Sequence, residues 1–232
     1  MRFTALASSS HGNAYVVDDG QSRLLLECGL ARRTLQQRLG FQLSTLTAVL
    51  VSHEHKDHAR CAAQLVADGM AVWMSEGTAE ALELEGTRQL EAGVQVEIGS
   101  FGVMPFATFH DALEPLGFCV KSRADGETLV FATDTCNLAY RFPGVNLLAI
   151  EANYDPEILA RCERIPDKVR RRITNSHMEI GRVCQYLREL DLSQCRQVYL
   201  LHLSDATSHE GHFIYKVQRA VPPGVAVTAC GR

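Results

Sequence analysis

The chain has 232 residues, of which 46% are hydrophobic, and its formal net charge is −4 at pH 7. This length can fill one sizeable core but leaves little for a second, so we expect a single domain over residues 1–232. The slightly acidic balance excludes a positive field over the whole molecule, although a local basic patch for nucleic acid is compatible with it.

The predicted elements alternate between strands and helices in the first part of the chain. Apolar runs predict strands and 3.6-residue periodicity predicts helices. In chain order these are a strand at 23–28, a helix at 35–39, a strand at 47–51, a helix at 58–68, a strand at 71–74 and a helix at 78–84. This order is typical of α/β proteins.

The middle and the end of the chain differ in their pattern. Consecutive strands with a hairpin turn at 123–126 are predicted at 94–98, 101–109, 117–121 and 128–133. Strand and helix then alternate again, with strands at 146–151, 197–201 and 225–230 and helices at 156–164, 178–190 and 209–220. Two mixed halves joined by a meander predict two mixed sheets that pack together with helices outside.

The eight cysteines are scattered and form no C-x-x-C pair. This pattern predicts reduced, buried thiols instead of a disulfide framework. The first residues lack the apolar core of a signal peptide, and no run approaches the length of a membrane span. We therefore expect a cytoplasmic protein without a membrane partner.

The segment after the strand at 47–51 is dense in metal-binding side chains. His53, His55, Asp57 and His58 stand within six residues, on a predicted turn from strand to helix. On such a turn the first two histidines can face one side, while the aspartate and the third histidine open the next helix and face another. This spacing can serve two metal ions.

Three further candidate ligands each end an apolar strand. These are His110, Asp134 and His202. At one edge of the sheets they would complete a site rich in nitrogen and oxygen, which suits zinc, manganese or iron. A His-Glu-x-x-His zinc motif is excluded, because it would require histidine where Asp57 stands.

In this order the candidate ligands resemble those of the metallo-β-lactamase superfamily, over nearly the whole chain. The resemblance implies an αββα four-layer sandwich of two mixed sheets and a centre of two divalent ions, zinc or manganese, with iron also compatible. It implies that His53, His55 and His110 hold one ion, that Asp57, His58 and His202 hold the other, and that Asp134 bridges them together with a hydroxide.

Glu151 and His177 resemble a paired motif of the phosphodiesterase branch of this superfamily, which includes ribonuclease Z. There the glutamate orients a histidine beside the scissile phosphate. The resemblance implies that His177 protonates the leaving oxygen while Glu151 holds its imidazole. The alternative is a strand-end carboxylate and a helix-start histidine without a shared role.

The densest positive patch runs from Lys168 to Arg172, shortly before His177. Arg170, Arg171 and Arg172 could bind phosphates that flank a scissile bond. A solvated helix face is the equal alternative.

The segment from Ser8 to Asn13 resembles a Ser-Ser-Gly-Asn loop of small bacterial members of this branch, some of which are associated with 5′ exonuclease activity on double-stranded DNA. Asn13 is the substrate-binding candidate of this loop. His11 departs from the family pattern, and so does Glu27, which stands where the family usually has an aspartate that supports the metal-binding loop.

The leading hypothesis is a metal-dependent phosphodiesterase, most simply a DNA 5′ exonuclease-like nuclease, in which a metal-bridging hydroxide attacks phosphorus. One alternative is a cyclic phosphodiesterase on small substrates, and a second is a thioester or lactone hydrolase. The expected partner is a phosphodiester, with nucleic acid as the candidate polymer. The oligomeric state stays open.

Overall fold

The computed structural model describes residues 1–231. Within these residues the chain forms two compact units. Unit 1 comprises Met1–Ala107 and Ala112–Glu127, and unit 2 comprises Thr108–Asp111 and Thr128–Gly231. The single domain over residues 1–232, whose last residue lies outside the described part, stays a prediction.

The described strands form two mixed sheets of six and seven strands, accompanied by helices. This architecture confirms the predicted α/β class. None of the helices within residues 1–231 combines the length and the apolar character that crossing a bilayer demands.

Unit 1 contains nine strands and four short α-helices in its described residues. Their bounds are β1 Arg2–Ser9, β2 Gly12–Asp18, β3 Arg23–Leu26, α1 Arg32–Arg38, β4 Ala48–Leu50, α2 Lys56–Ala59, α3 Ala62–Ala67, β5 Val72–Met74, α4 Glu76–Ala81, β6 Arg88–Gln89, β7 Val96–Ile98, β8 Phe101–Ala107 and β9 Leu116–Ser122. Strands β7, β8 and β9 pair antiparallel in sequence order.

The six-stranded sheet of unit 1 has the order β1-β2-β3-β4-β5-β6. The first three strands pair antiparallel, and β3 to β6 pair parallel. Parallel neighbours need crossover connections, and α1 and the pair α2 and α3 supply two of them. Leu25, Leu35, Val49 and Leu65 are fully buried in the core beneath these helices, each worth about 1.5–3 kcal/mol of burial.

Unit 2 contains four parallel strands and four helices in its described residues. Their bounds are β10 Thr128–Ala132, β11 Leu147–Glu151, α5 Pro156–Arg161, α6 Asp167–Ser176, α7 Ile180–Glu189, β12 Gln197–Leu201, α8 Glu210–Gln218 and β13 Ala226–Ala229. The strands pair in the order β10, β11, β12, β13. Because parallel strands end at the same edge, the residues that follow β10, β11 and β12 are brought together there.

Several boundaries differ from those predicted. The strand at 23–28 ends at Leu26, because Glu27 takes a φ of 65° that a strand cannot contain. The helix at 58–68 is two helices, α2 and α3. The break lies at Cys61, whose N–H donates to the carbonyl of Cys28 (3.1 Å). The hairpin β1–β2 and helix α6 are not among the predicted elements.

Candidate functional site

In unit 1, the buried strand β4 leads directly into the histidine segment. His53 is buried, and its Nδ1 lies 2.8 Å from the Ser52 hydroxyl. Its Nε2 lies 3.1 Å from Nδ1 of His55. The structure thus brings these two predicted ligands together, with Ser52 fixing the imidazole of His53 from its other nitrogen.

The third histidine of the segment, His58, is held by Glu27. The Nδ1 atom of His58 lies 3.4 Å from Oε2 of Glu27, and neither side chain has exposed surface. The backbone N–H of Ser52 also donates to the Glu27 carboxylate (3.3 Å). Burial raises the pKa of Glu27, while hydrogen bonding and the charge of His58 act in the opposite direction. Glu27 therefore links His58 to the main chain at Ser52 inside unit 1.

Asn13 lies inside unit 1 without exposed surface. Its Nδ2 lies 3.2 Å from Nε2 of His58 and donates to the carbonyl of Asp57 (3.2 Å). The hydroxyl of Tyr15 donates to Oδ1 of Asn13 (2.9 Å). This placement favours a positioning role for Asn13 over the substrate contact that its sequence context predicts.

A close backbone approach braces the same loop. A Cβ added to Gly29 would lie 1.6 Å from the carbonyl oxygen of Asp57, so only glycine fits there. The N–H of Gly29 donates to the carbonyl of Asn13 (2.9 Å), and that of Cys28 donates to the carbonyl of His58 (2.7 Å). The path of the histidine segment is thus fixed by the main chain that follows β3.

In unit 2, Asp134 follows β10 and His202 follows β12, and both are buried. Both residues have φ in the left-handed region, 36° and 53°, which is uncommon outside glycine and clusters at functional sites. Oδ1 of Asp134 lies 2.8 Å from Nδ1 of His202. The two predicted ligands therefore meet at the carboxyl edge of the parallel strands.

His110 belongs to the same part of unit 2. Its Nδ1 donates to the carbonyl of Ser176 (2.8 Å), and its Nε2 lies 3.5 Å from Oδ2 of Asp134. A hydrogen bond at Nδ1 fixes the tautomer that leaves the Nε2 lone pair available for a metal ion. This orientation is compatible with the metal-binding role predicted for His110.

Glu151, at the end of β11, is fully buried and holds His177. Its Oε1 lies 2.6 Å from Nδ1 of His177, and its Oε2 accepts the N–H groups of Thr135 (2.8 Å) and Met178 (3.1 Å). Burial opposes the charged form of both side chains. The attraction between them prevails, lowering the pKa of Glu151 and raising that of His177.

The donor set of this edge suits a transition metal. The Asp134 carboxylate lies 2.8 Å from Nδ1 of His202 and 3.5 Å from Nε2 of His110. Imidazole nitrogen and carboxylate oxygen are ligands for zinc, manganese and iron. The residues present therefore fit the predicted cofactor class.

The three arginines of α6 differ in their surroundings. Arg170 donates to the carbonyls of Leu159, Cys162 (3.1 Å) and Ile165 (3.3 Å), and so it holds the turn between α5 and α6. Arg172 donates Nε–H to Asp111 (2.8 Å), and Arg171 is exposed. Arg171 and Arg172 are exposed, whereas Arg170 is less exposed and is engaged by these carbonyls.

A cleft of about 500 Å³ lies beside His110 in unit 2. It is lined by Phe109, His110, Asp111, Cys136, Arg172, Asn175 and Ser176. No role is predicted for Phe109 or Asn175 from the sequence, although Asn175 belongs to the segment 175–178 that carries the resemblance at His177. The available signal was their position directly beside residues that were singled out, before His110 and shortly before His177.

Comparison with known proteins identifies the family. A family model described as "Beta-lactamase superfamily domain" matches residues 22–203. The chain belongs to this superfamily, and it has the metallo-β-lactamase fold.

Two curated relatives cover most of the chain. The chain is 30% identical to exodeoxyribonuclease YycJ of Bacillus anthracis over 88% of its own length and 83% of the relative's. It is 27% identical to exodeoxyribonuclease WalJ of Streptococcus pneumoniae, over 88% and 81% of the two chains. The predicted resemblance to small bacterial exonucleases is thereby confirmed.

A solved structure shares the fold. The metallo-β-lactamase fold protein YhfI of Bacillus subtilis superposes with a TM-score of 0.75 at 16% identity, over 98% of this chain and 95% of the other. At this identity the likeness concerns the fold alone.

Proposed function

We propose that this protein is a metal-dependent phosphodiesterase that acts on DNA as an exonuclease. The observation that carries the proposal is the buried Glu151 carboxylate holding the imidazole of His177 next to Asp134. Two curated relatives named exodeoxyribonucleases support the choice of DNA. A cytoplasmic location belongs to the same proposal.

The proposal assigns the seven predicted ligands to two divalent ions, zinc or manganese, with iron also compatible. In this proposal His53, His55 and His110 would hold one ion, Asp57, His58 and His202 would hold the other, and Asp134 would help to hold both. When bound, such ions lower the pKa of a coordinated water and stabilise charge on phosphate oxygens. The nitrogen and oxygen donors of both units support this assignment.

His177 is the proposed proton donor to the leaving oxygen. Because Nδ1 faces Glu151 at 2.6 Å, the Nε2–H of the protonated ring is the group available to a substrate. The side chain of His177 is 13% exposed, whereas that of Glu151 is fully buried. His177 therefore contacts substrate in this proposal, and Glu151 orients it and stabilises its charge.

The remaining predicted residues take different roles. Arg171 and Arg172 are the proposed phosphate contacts, because both are exposed on α6. Arg170 holds the turn between α5 and α6 instead. Asn13 and Glu27 position His58 through the contacts of unit 1.

A substrate panel tests the proposal. Purified protein is assayed with duplex DNA labelled at either end, single-stranded DNA, RNA, bis(p-nitrophenyl) phosphate and S-lactoylglutathione, before and after chelation and metal return. We expect the protein to release mononucleotides from DNA. This activity should disappear after chelation and return when zinc or manganese is added.

Variants complete the test. His58→Ala and Asp134→Ala are expected to lose activity and bound metal. His212 lies outside the two predicted sets of metal ligands, so His212→Ala should retain both activity and metal. Full activity of either ligand variant, or hydrolysis of the thioester alone, would refute the proposal.

A further inference from the structure

Phe109 presents an aromatic ring to solvent on a fixed backbone. The residue is 49% exposed, whereas the side chain of its neighbour His110 has no exposed surface. Its N–H donates to the hydroxyl of Thr135 (3.0 Å), and its carbonyl accepts the N–H of Cys136 (2.9 Å). An aromatic ring on a rigid backbone loses little conformational entropy when it binds a flat ligand.

The ring forms one wall of the cleft beside His110. At about 500 Å³ this cleft is within the range of sites for small ligands. Arg172 and Asn175 contribute polar groups from α6. Arg172 commits its Nε–H to Asp111, and a guanidinium carries five N–H groups in all. The cleft therefore combines an aromatic residue, the ion pair of Arg172 with Asp111 and an amide.

The cleft adjoins the reacting groups of the proposed function. His110 lines it and lies 3.5 Å from the Asp134 carboxylate through Nε2. The ring of His110 also meets that of His177 edge to face, with centroids 5.1 Å apart. A ligand in the cleft would thus lie within one nucleotide unit of a phosphate at His177.

We propose that this cleft holds the nucleobase next to the scissile phosphate, with Phe109 stacked on the base and Arg172 and Asn175 at its edge. The identity of the ligand as a nucleotide rests on the proposed function. Every base has a π-face, so stacking accepts any of the four. The inference therefore specifies an enzyme that requires a base beside the cut without selecting its sequence.

The first test uses DNA strands with one abasic tetrahydrofuran residue, placed in turn at each position near the scissile bond. At one position, an intact base should raise kcat/KM roughly 5- to 100-fold over the abasic residue. Phe109→Ala should bring this ratio close to one, and Phe109→Trp should preserve it. Phe109→Leu keeps an apolar side chain of similar size without a π-face, so it should behave like Phe109→Ala.

The second test measures binding without cleavage. Calorimetry compares deoxyadenosine 5′-monophosphate with 2-deoxyribose 5-phosphate on the metal-loaded protein. The nucleotide should bind more tightly by a similar factor, and Phe109→Ala should remove most of the difference. Tyr215→Ala, which removes a 60% exposed ring from α8 away from the cleft, is the matched control and should leave both ratios unchanged.

The outcomes separate the two proposals. Cleavage of DNA with a base-to-abasic ratio near one at every position, and equal affinities for the two ligands, would overturn the base site and leave the nuclease proposal standing. Base-dependent binding that needs Phe109, without cleavage of any phosphodiester, would keep the base site and refute the nuclease.

Discussion

Replacing Glu151 by glutamine tests how the buried carboxylate supports His177. Glu151 accepts the N–H groups of Thr135 and Met178 through Oε2 and faces Nδ1 of His177 through Oε1. Glutamine has nearly the same shape, but one oxygen becomes an NH₂ group that only donates. If the amide oxygen of the glutamine still accepts the two backbone N–H groups, its NH₂ group faces His177. The Nδ1–H of His177 then loses the carboxylate oxygen that accepts it in the parent protein.

Two losses of different size follow from this geometry. The imidazolium form of His177 loses the charge that stabilises it, so kcat should fall by about the 10²- to 10⁴-fold that general acid catalysis contributes. A buried donor without an acceptor also costs about 1–3 kcal/mol of folding stability. Because Glu151 is fully buried, solvent cannot compensate for either loss.

The assay compares Glu151→Gln, His177→Ala and the double variant on bis(p-nitrophenyl) phosphate, with metal content and the free energy of unfolding measured on each. His177→Ala should lose a similar factor in kcat and should also lose stability, because the fully buried Glu151 carboxylate loses its partner at Oε1. The double variant should be no slower than the slower single variant. Independent, multiplicative losses, or a Glu151→Gln enzyme within threefold of the parent, would refute the reasoning.

Three further predictions concern other parts of the structure. Gly29→Ala should lower stability by several kcal/mol in chemical denaturation, because its Cβ would overlap the carbonyl oxygen of Asp57. Glu27→Asp should weaken metal affinity about 10- to 100-fold in chelator competition, because the shorter side chain no longer reaches Nδ1 of His58 if the backbone does not move. A variant with the metal affinity of the parent protein would contradict this prediction and show that the loop adjusts. Burial acts to raise the pKa of Asp155, but Lys216 and the first N–H groups of α5 lower this pKa overall. The Asp155 carboxylate therefore stabilises the folded state above its unfolded pKa near 4. This contribution disappears as the pH falls through the lowered pKa of the folded state. Asp155→Asn should therefore cost about 1 kcal/mol at pH 7 and almost nothing at pH 2, and an equal loss at both pH values would contradict the assignment.

The fold class was predictable because hydrophobic periodicity is a local property. Strand β4 stands out as a short run of apolar residues, and helix α7 shows its helical period within a few residues. Features that depend on distant partners were not predictable. The break at Cys61 is made by the carbonyl of Cys28, and strand β1 is defined by its pairing with β2.

The same distinction applies to the site. The histidine segment is recognisable because its residues of metal-binding type are neighbours in sequence, and the family resemblance predicts the pairing of Glu151 with His177 that the structure shows. The hydrogen bonds from Arg170 to carbonyls of the α5–α6 turn were not predictable, because a run of three arginines does not reveal which one binds the main chain. The exposure of Phe109 was hidden by its place after an apolar strand.

The backbone bracing around Gly29 has a practical consequence for trapping complexes. The N–H of Cys28 donates to the carbonyl of His58, and the N–H of Cys61 donates to the carbonyl of Cys28, so main-chain hydrogen bonds hold the segment that carries Asp57 and His58. Exchanging a ligand side chain leaves these bonds in place, so an inactive variant should keep the shape of the parent. Such variants are suited to co-crystallisation with uncleaved oligonucleotides, in which the bound strand would reveal its own direction and register.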